Sequence, residues 1–464
     1  MTDTPPAAPK PKLSLVSPRT PQGVMELLPK QQLAFEHFMG TIRKAYVRYG
    51  FLPVETPVFE LTNVLLTKNG GETEKQVYFV QSTGALAQGH APDMALRFDL
   101  TVPLARYVAQ HENDLNFPFR RYQMQKVYRG ERPQKGRERE FYQCDIDVIG
   151  KDELALGYDA ELVAVINDIF TELAIGAFVV QINNRKLLRG LLEGFGLSDA
   201  AQQTLALREV DKLDKIGADE VKVRLLAPEI GCTDEQAARL LALVTGPKNN
   251  IETLEALNAT GITNASFTLG LMELKTVFAA ALALGVPEAN IRLNLAIVRG
   301  LDYYTGTVYE TTLLSHPSFG SICSGGRYEN LAGLYTKSKL PGVGISIGAT
   351  RLFTALLEEG LLKASEASTT DVLLLQVEDT MLPEYFRLAG ELRQAGLNVE
   401  VYVDAHKLGK QLKFADRAGI PYALVLGSDE KSRGVAKVRH MHTSHEEEVP
   451  LADLALKLKG LKSI

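Results

Sequence analysis

Phe119–Ile149, FRRYQMQKVYRGERPQKGREREFYQCDIDVI, is the stretch whose reading decides the fold. Period-two alternation predicts two strands joined by a long basic loop. On the first strand Arg121, Gln123, Gln125, Val127 and Arg129 fall on one face. On the second, Phe141, Gln143, Asp145 and Asp147 share a face, while Tyr142, Cys144, Ile146 and Val148 share the other. A strand with one wholly apolar face packs it on a core, which leaves Gln143 and the two carboxylates to line a site. The connection from Gly130 to Arg139 is longer and more charged than a hairpin needs, since about two to five residues suffice. A loop rich in Arg and Lys on a rigid hairpin suits an anion, because guanidinium groups grip phosphate oxygens bidentately. A solvated charged loop is the alternative reading.

Length and composition bound what surrounds this hairpin. A chain of 464 residues predicts roughly two or three domains. The net charge of -5 argues against a wholesale basic wrapper of nucleic acid and leaves room for local basic patches. Cys144, Cys232 and Cys323 are scattered, without a Cys-x-x-Cys pair, so neither a disulfide framework nor a zinc site is expected. No apolar run is expected to reach membrane-span length and no signal peptide opens the chain. A cytoplasmic, reducing location and no membrane partner follow as expectations. Residues 1–17, with MTDTPPAAPKPKLS, read as a disordered tail.

Upstream of the hairpin, Leu33, Phe35, Phe38, Met39, Ile42 and Tyr46 predict a helix from Lys30 to Tyr49 that ends at Gly50. Phe51–Glu60 reads as extended, and Pro53 and Pro57 put it at an edge or an interface because proline removes a ladder donor. A strand is expected at Gln76–Gln81 and a loop over Thr83–Pro92. In Met94–Leu100, Met94, Leu96, Phe98 and Leu100 point one way, Arg97 and Asp99 the other. Thr101 follows on the polar side and can cap a helix opening at Val102-Pro103, so capping alone would account for Asp99 and Thr101.

Downstream, Asp159–Glu172 predicts a helix and Phe178–Ile182 a strand. From Asn184 to about Pro287 the Leu/Ala-rich composition predicts an inserted, mostly helical subdomain. Strand character returns at Ile291–Ile297, before RGLDYYTGTVYETTLL from Arg299. In GSICSGGRYENLAGLY, Gly320–Tyr335, the Gly325-Gly326 pair permits close backbone approach or positive φ. GVGISIGATRL, Gly342–Leu352, runs from strand into helix with Arg351 in the first turns; taken alone, Arg351 reads as a surface residue. After a small, polar linker near Ala364–Thr370, Asp371 opens an alternation of strands and helices that predicts a small domain with a largely parallel sheet. Lys407, Lys410, Lys413 and Arg417 read as a solvated face there. His440, His442 and His445 lack the carboxylate or thiolate support of a metal site.

No GxxxxGK[ST] and no GxGxxG opening a helix after a strand is present. Arg129, Arg137, Arg299 and Arg351 nevertheless suggest a polyanion site. Asp99, Gln143 and Asp147 add acceptors for a cationic or N–H-bearing small molecule. The two characters together fit activation of an amino acid by ATP.

These motifs carry a family resemblance. YGFLPVETPVFE with its preceding helix is similar to the first, dimer-forming motif of class II aminoacyl-tRNA synthetases. KVYRGERPQKGREREFYQCDIDV resembles the second motif and GVGISIGATRLF the third. RGLDYYTGTVYE and SGGRYENL resemble stretches of the histidyl-tRNA synthetase family, and Asp371–Ile464 resembles the anticodon-binding domain of several such enzymes. The resemblance implies an α+β catalytic domain on an antiparallel sheet over residues 18–365, a helical insertion at about 184–287, and a small α/β anticodon-binding domain over 371–464. FDLT at Phe98–Thr101 stands where many bacterial members carry a PEGT-like form, and PRTPQGVMELLP follows the family's opening only loosely.

The implied activity is that of a histidine–tRNA ligase. L-Histidine and ATP give histidyl-adenylate and pyrophosphate, and histidine then passes to the 3′ end of tRNA(His), with Mg2+ accompanying ATP and the chain acting as a homodimer. Carried over by position, Asp99 and Thr101, with Gln143 beside them, hold the substrate α-amino group. Asp147 accepts an imidazole N–H, Tyr304 helps select the ring and Tyr303 lines the same pocket. Arg129 sits on the α-phosphate and the substrate carboxylate, Glu131 near the adenine amino group, and Arg137 and Arg351 on the outer phosphates. Arg299 and Arg129 are the catalytic pair, since a fixed guanidinium stabilises charge that concentrates in the transition state. No metal-ligating set is assigned, and a phosphate oxygen of the adenylate would serve as base in the transfer. Three rivals remain at this point: a synthetase-like regulatory subunit of ATP phosphoribosyltransferase, a class II synthetase for another amino acid, and a tRNA-binding module without catalysis.

Overall fold

The computed structural model describes residues 16–66, 76–132, 136–298, 304–330, 332–362 and 368–462. The described residues up to Glu26 and from Ile42 to Leu356 form one compact unit; Leu27–Thr41 and those from Leu357 onward form a second.

The strands of the first unit are β1 (Leu52–Pro53), β2 (Phe59–Leu61), β3 (Phe79–Val80), β4 (Met94–Leu96), β5 (Phe119–Tyr128), β6 (Glu140–Ile149), β7 (Phe178–Asn184), β8 (Ile291–Leu293), β9 (Tyr304–Leu313), β10 (Ser321–Tyr328) and β11 (Gly342–Gly348). Eight of them make one sheet in the order β1-β5-β6-β11-β10-β9-β7-β8. The run from β5 to β7 is antiparallel throughout, with β1 and β8 added in parallel at the edges. The hairpin β5–β6 forms as its alternation predicts, with Arg121 opposite Asp147, Gln123 opposite Asp145 and Gln125 opposite Gln143. Its apolar face buries Cys144, Ile146 and Val148. The Tyr46 hydroxyl donates to the Cys144 carbonyl at 3.0 Å, and the helix Gly157–Glu172 packs on β7, β10 and β11. The polar face is equally dry: Arg121, Gln123, Asp145 and Asp147 are each no more than 3% exposed.

The structure departs from the sequence reading around this sheet. Thr83–Ala87 is a short helix inside the expected loop, with the Ser82 side chain accepting from the Ala85 N–H. The strand expected at Gln76–Gln81 is reduced to Phe79–Val80. Within Met94–Leu100 only the first three residues pair as a strand, and beyond them both sides are buried, Phe98 and Leu100 along with Arg97 and Asp99. Arg97 and Asp99 are 1% and 6% exposed while Met94 is open to solvent. Arg97 is stable there because its guanidinium meets acceptors: Nη1 donates to the Thr56 carbonyl at 2.7 Å and to Gln125 Oε1 at 2.9 Å, and Nε to the Lys126 carbonyl at 2.9 Å. The following helix, Thr101–Gln110, begins one residue earlier than expected, so Thr101 lies inside it and is not its cap.

Six helices between Arg185 and Ala283 form the insertion among the described residues. Helices Arg185–Gly194 and Ala265–Ala283 cross at two glycines: a Cβ on Gly270 would lie 2.2 Å from the Leu187 nitrogen, and one on Gly190 2.2 Å from the Phe267 nitrogen. Contrary to expectation, Ala265–Ala283 is long and apolar enough, by length and composition, to cross a membrane. It carries Glu273 against Lys186 Nζ at 2.6 Å and Asn184 Nδ2 at 2.8 Å, and packs on helices Gly157–Glu172 and Arg185–Gly194.

In the second unit β12 (Val372–Leu374), β13 (Val399–Val401), β14 (Tyr422–Val425), β15 (Val435–His440) and β16 (Glu446–Pro450) form a sheet in the order β13-β12-β14-β15-β16. The first three are parallel, as expected; β15 and β16 pair back antiparallel. Strand β16 escapes the sequence reading because Glu446, Glu447 and Glu448 hide its character. Those carboxylates pair with Arg439, Lys457 and Arg433. Residues 364–367 of the expected linker lie outside the described residues. All three cysteines are buried: Cys144 and Cys323 in the eight-stranded sheet, Cys232 in the helical insertion.

Candidate active site

The site is built on the polar face of the hairpin and its neighbour β11, whose register sets Gly344 opposite Asp147, Ser346 opposite Asp145 and Gly348 opposite Gln143. The small residues are what leave room. A Cβ on Gly344 would lie 2.1 Å from Asp147 Oδ1, whereas over Gly348 nothing stands within 4 Å. Asp147 is held from two sides. Arg121 Nη2 sits 2.6 Å from its Oδ2, an ion pair by distance without hydrogen-bond alignment, and the Tyr328 hydroxyl donates to its Oδ1 at 3.0 Å. Beyond Arg121, Gln123 Nε2 donates to Thr56 Oγ1 at 2.9 Å and to Gln125 Oε1 at 2.6 Å.

Asp99 reaches the same neighbourhood from the helix Thr101–Gln110. Its Oδ1 accepts from the Val102 N–H at 3.1 Å while its Oδ2, buried, has no hydrogen-bond partner among the described residues. It therefore caps the helix with one oxygen and keeps the other for something else. Burial pushes the Asp99 carboxyl up to about 6, against the Val102 N–H and the charges of Arg129 and Arg121. Burial pushes Asp145 up to about 7, against Arg121 and a hydrogen bond from Ser346. Asp147 is also raised by burial, with Arg121 and Tyr328 holding it back. One fully buried guanidinium thus stands among three buried carboxylates.

The other end of the site is cationic. Arg129 Nε donates to the Phe98 carbonyl at 3.1 Å and its guanidinium lies 5.1 Å from the Phe141 ring centroid. Arg137 pairs with Glu131 at 3.4 Å. Gly136, at φ +74°, packs on Arg351, whose Nε would be 3.3 Å from a Cβ added there. The end of the basic loop therefore packs on Arg351 at the residue before Arg137, and Arg351 Nη2 donates to the Phe319 carbonyl at 2.7 Å. Tyr304 opens β9 opposite Tyr328, with its ring against Gly326. Thr101 is half-buried at the start of its helix. Arg299 and Tyr303 lie outside the described residues.

Four residues of this face were not among the sequence-assigned ligands: Arg121, Asp145, Tyr328 and Ser346. The signal for Arg121 was present in the hairpin. Alternation set it on the polar face, but counting equally back from Gly130 and Arg139 would place it opposite Val148; the observed register, shifted by one residue, pairs it with Asp147. Tyr328 lies within SGGRYENL, whose motif value was recognised without assigning its tyrosine.

A set of buried carboxylates that suits a cation with N–H donors therefore lies near Arg129, where the strand β5 runs out into the basic loop. A family model described as histidyl-tRNA synthetase matches residues 23–352, and one described as anticodon binding domain matches 371–461. The chain belongs to the histidyl-tRNA synthetase family. The histidine–tRNA ligase of Xanthomonas oryzae pv. oryzae (strain PXO99A) is 55% identical over 456 residues, which is 95% of this chain and 97% of that one. A crystal structure of histidyl-tRNA synthetase from Nostoc sp. PCC 7120 superposes with a TM-score of 0.87 at 40% identity, covering 96% of this chain and 99% of that one. An ATP phosphoribosyltransferase regulatory subunit/histidyl-tRNA synthetase from Bacillus halodurans C aligns with a TM-score of 0.70 at 19% identity, a likeness of fold alone. The antiparallel catalytic sheet of this family is the one seen here, in place of the sheet order that strand-by-strand reading left open.

Proposed function

We propose that this chain is a histidine–tRNA ligase whose amino-acid pocket is the acidic face of β5–β6 and whose ATP site is the arginine set beside it. The observation that carries the reading is Asp147, a dry carboxylate bound by Arg121 and Tyr328 on the same hairpin that carries Arg129. Family membership and near-full-length identity to a histidine–tRNA ligase support the reaction. The match to an anticodon binding domain over 371–461 disfavours the regulatory-subunit rival.

Arg121 and Tyr328 favour the anionic form of Asp147 against the burial that raises it, and a carboxylate offers about four lone-pair sites, more than those two partners use. Asp147 can then accept an imidazole N–H, with Tyr304 and Tyr303 selecting the ring. A ligand without that N–H leaves the anion underpaired, at about 1–3 kcal/mol or more. Asp99, Thr101 and Gln143 hold the α-amino group. Arg129 takes the substrate carboxylate and the α-phosphate, Glu131 the adenine amino group, and Arg137 and Arg351 the outer phosphates. Arg299 and Arg129 stabilise the charge that develops as the carboxylate attacks the α-phosphate. Charge on the leaving pyrophosphate would be neutralised by Mg2+ carried in with ATP. Such an ion needs about one or two protein carboxylates beside the phosphate oxygens, and no group of three or more His, Cys, Asp or Glu occurs among the described residues to hold it.

The remaining parts of the reading are a catalytic domain at 18–365 with its insertion at about 184–287, an anticodon-binding domain at 371–464, a disordered tail at 1–17, a cytoplasmic location and a homodimer. Support for the dimer comes from β2 and β4, where Phe59 and Leu61 are 52% and 50% exposed beside Met94 on one side of a three-stranded sheet.

Histidine-dependent exchange of pyrophosphate into ATP by the purified protein tests the whole reading. Exchange supported by another amino acid and not by histidine would overturn it. Arg299→Ala is expected to lower exchange by about 10²–10³-fold while histidine still binds; near-normal exchange by that variant removes Arg299 from its role.

A further inference from the structure

Gln143, Asp145 and Asp147 alternate on one face of β6, with Ser346 of β11 opposite Asp145. Gln143 Nε2 donates to Ser346 Oγ at 2.8 Å, and Ser346, directly across from Asp145, favours the ionised carboxyl there, which directs its hydroxyl proton to Asp145. A serine hydroxyl has one proton. With that proton committed to Asp145, Ser346 must receive an N–H from Gln143, which turns the amide carbonyl of Gln143 away from Ser346. Three buried acceptors are then left without a hydrogen-bond partner among the described residues: Gln143 Oε1, Asp145 Oδ1 and Asp99 Oδ2. Native interiors rarely leave such atoms unmet unless something else supplies the donors.

The charges point the same way. Asp99, Asp145 and Asp147 are all buried, and Arg121, the fully buried guanidinium among them, is 2.6 Å from Asp147. Asp99 and Asp145 feel each other's charge, and neither has an ion-pair partner of its own among the described residues. A primary ammonium brings three N–H donors and one positive charge, which matches three open acceptors and the carboxylate surplus.

We propose that Asp145 accepts an N–H of the substrate's α-ammonium on Oδ1 and, through Ser346, acts as a positioning residue that aims the Gln143 carbonyl at the same group. This rests on the histidine-activating reading above and adds to it a carboxylate that the family resemblance did not supply. The ammonium site is then a cage of Asp99, Gln143 and Asp145, anchored on β6 and β11 as well as on the helix that Asp99 caps.

The test compares ligands within one protein. Dissociation constants of histidinol, which keeps the ammonium, and of 3-(imidazol-4-yl)propionate, which lacks it, are measured calorimetrically on the full chain and on Asp145→Asn. The expected result is a loss of about 10- to 100-fold for histidinol, with the propionate changed by less than about twofold. The KM for ATP in exchange should stay at its original value. Equal losses for both ligands, or none for histidinol, overturn the proposal. Each affinity is independent of how much protein folds, and if Asp145→Asn yields no soluble protein, Ser346→Ala must give the same asymmetric loss or the proposal falls. Failure of the underlying reading would look different: the unaltered protein would show no histidine-dependent exchange.

Discussion

Arg121 is wholly buried, yet its value is visible only beside Asp147, 2.6 Å away. Removing one partner of a buried pair leaves an uncompensated charge and typically costs about 3–5 kcal/mol, whereas replacing both by apolar groups is often neutral. Arg121→Met is therefore expected to lower the urea midpoint sharply, and Arg121→Met with Asp147→Leu to recover most of the stability without recovering histidine binding. A double variant no more stable than the single one would contradict this. The neighbouring carboxyls make a second prediction. Asp99 and Asp145 titrate at about 6 and 7 in the folded chain, above the unfolded value near 4. Between roughly pH 4 and 7 the folded state then binds more protons than the unfolded one, so their contribution to stability grows as pH falls through that window. The charged groups facing Asp145 are Arg121, Asp147 and Asp99, with the Ser346 hydroxyl and the Cys144 and Cys323 thiols also near it, and Asp145→Asn leaves all of them in place. Without ligand, the gain in thermal midpoint between pH 8 and pH 6 should be smaller in Asp145→Asn than in the unaltered chain; equal gains would show that Asp145 does not titrate there. The sequence revealed the carboxylates by alternation. It could not reveal which guanidinium would be dry beside them, because exposed and buried arginines look alike in a string of letters.

The β5–β6 hairpin was legible because two signals agreed: period-two alternation on both arms and an Arg-rich connection between them. Met94–Leu100 alternates as cleanly, but only Met94–Leu96 pairs as a strand, and Phe98 and Leu100 are buried together with Arg97 and Asp99. What lets the polar side be buried as well is the cluster of carbonyls around Arg97, contributed by Thr56, Pro57 and Lys126 from distant segments. Such long-range satisfaction leaves no local trace. At the scale of the strand, β11 carries the clearest contrast. Gly344→Ala would drive a Cβ to 2.1 Å from Asp147 Oδ1 and 2.7 Å from the Ile146 carbonyl, while Gly348→Ala meets nothing within 4 Å. Overpacking of this kind costs about 1–3 kcal/mol or more. Gly344→Ala should thus lose stability and histidine affinity together, and Gly348→Ala should unfold at the original midpoint. Matching unfolding curves for the two variants would show that the close approach is not structural.

At the scale of the molecule, the helical insertion and the second unit's alternating elements were readable from composition and spacing. The antiparallel sheet order was not, because no local pattern tells a strand which distant strand it will join; the family resemblance supplied it. The exposed apolar side of β2 and β4 gives a prediction at the same scale. The unaltered protein is expected to sediment as a pair and Phe59→Asp with Leu61→Asp as a single chain; a pair in both cases would move the interface elsewhere.

The burial of Cys144, Cys232 and Cys323 has one last consequence. Burial raises all three thiols, so few thiolates are presented to an alkylating reagent while the chain stays closed. Modification then clocks opening, and it does so in two compartments. Cys232 reports breathing of the inserted helices, whereas Cys144 and Cys323, on strands joined through β11, report the parting of the sheet itself. Timed alkylation and mass spectrometry would follow both compartments at once, without a label added to the chain.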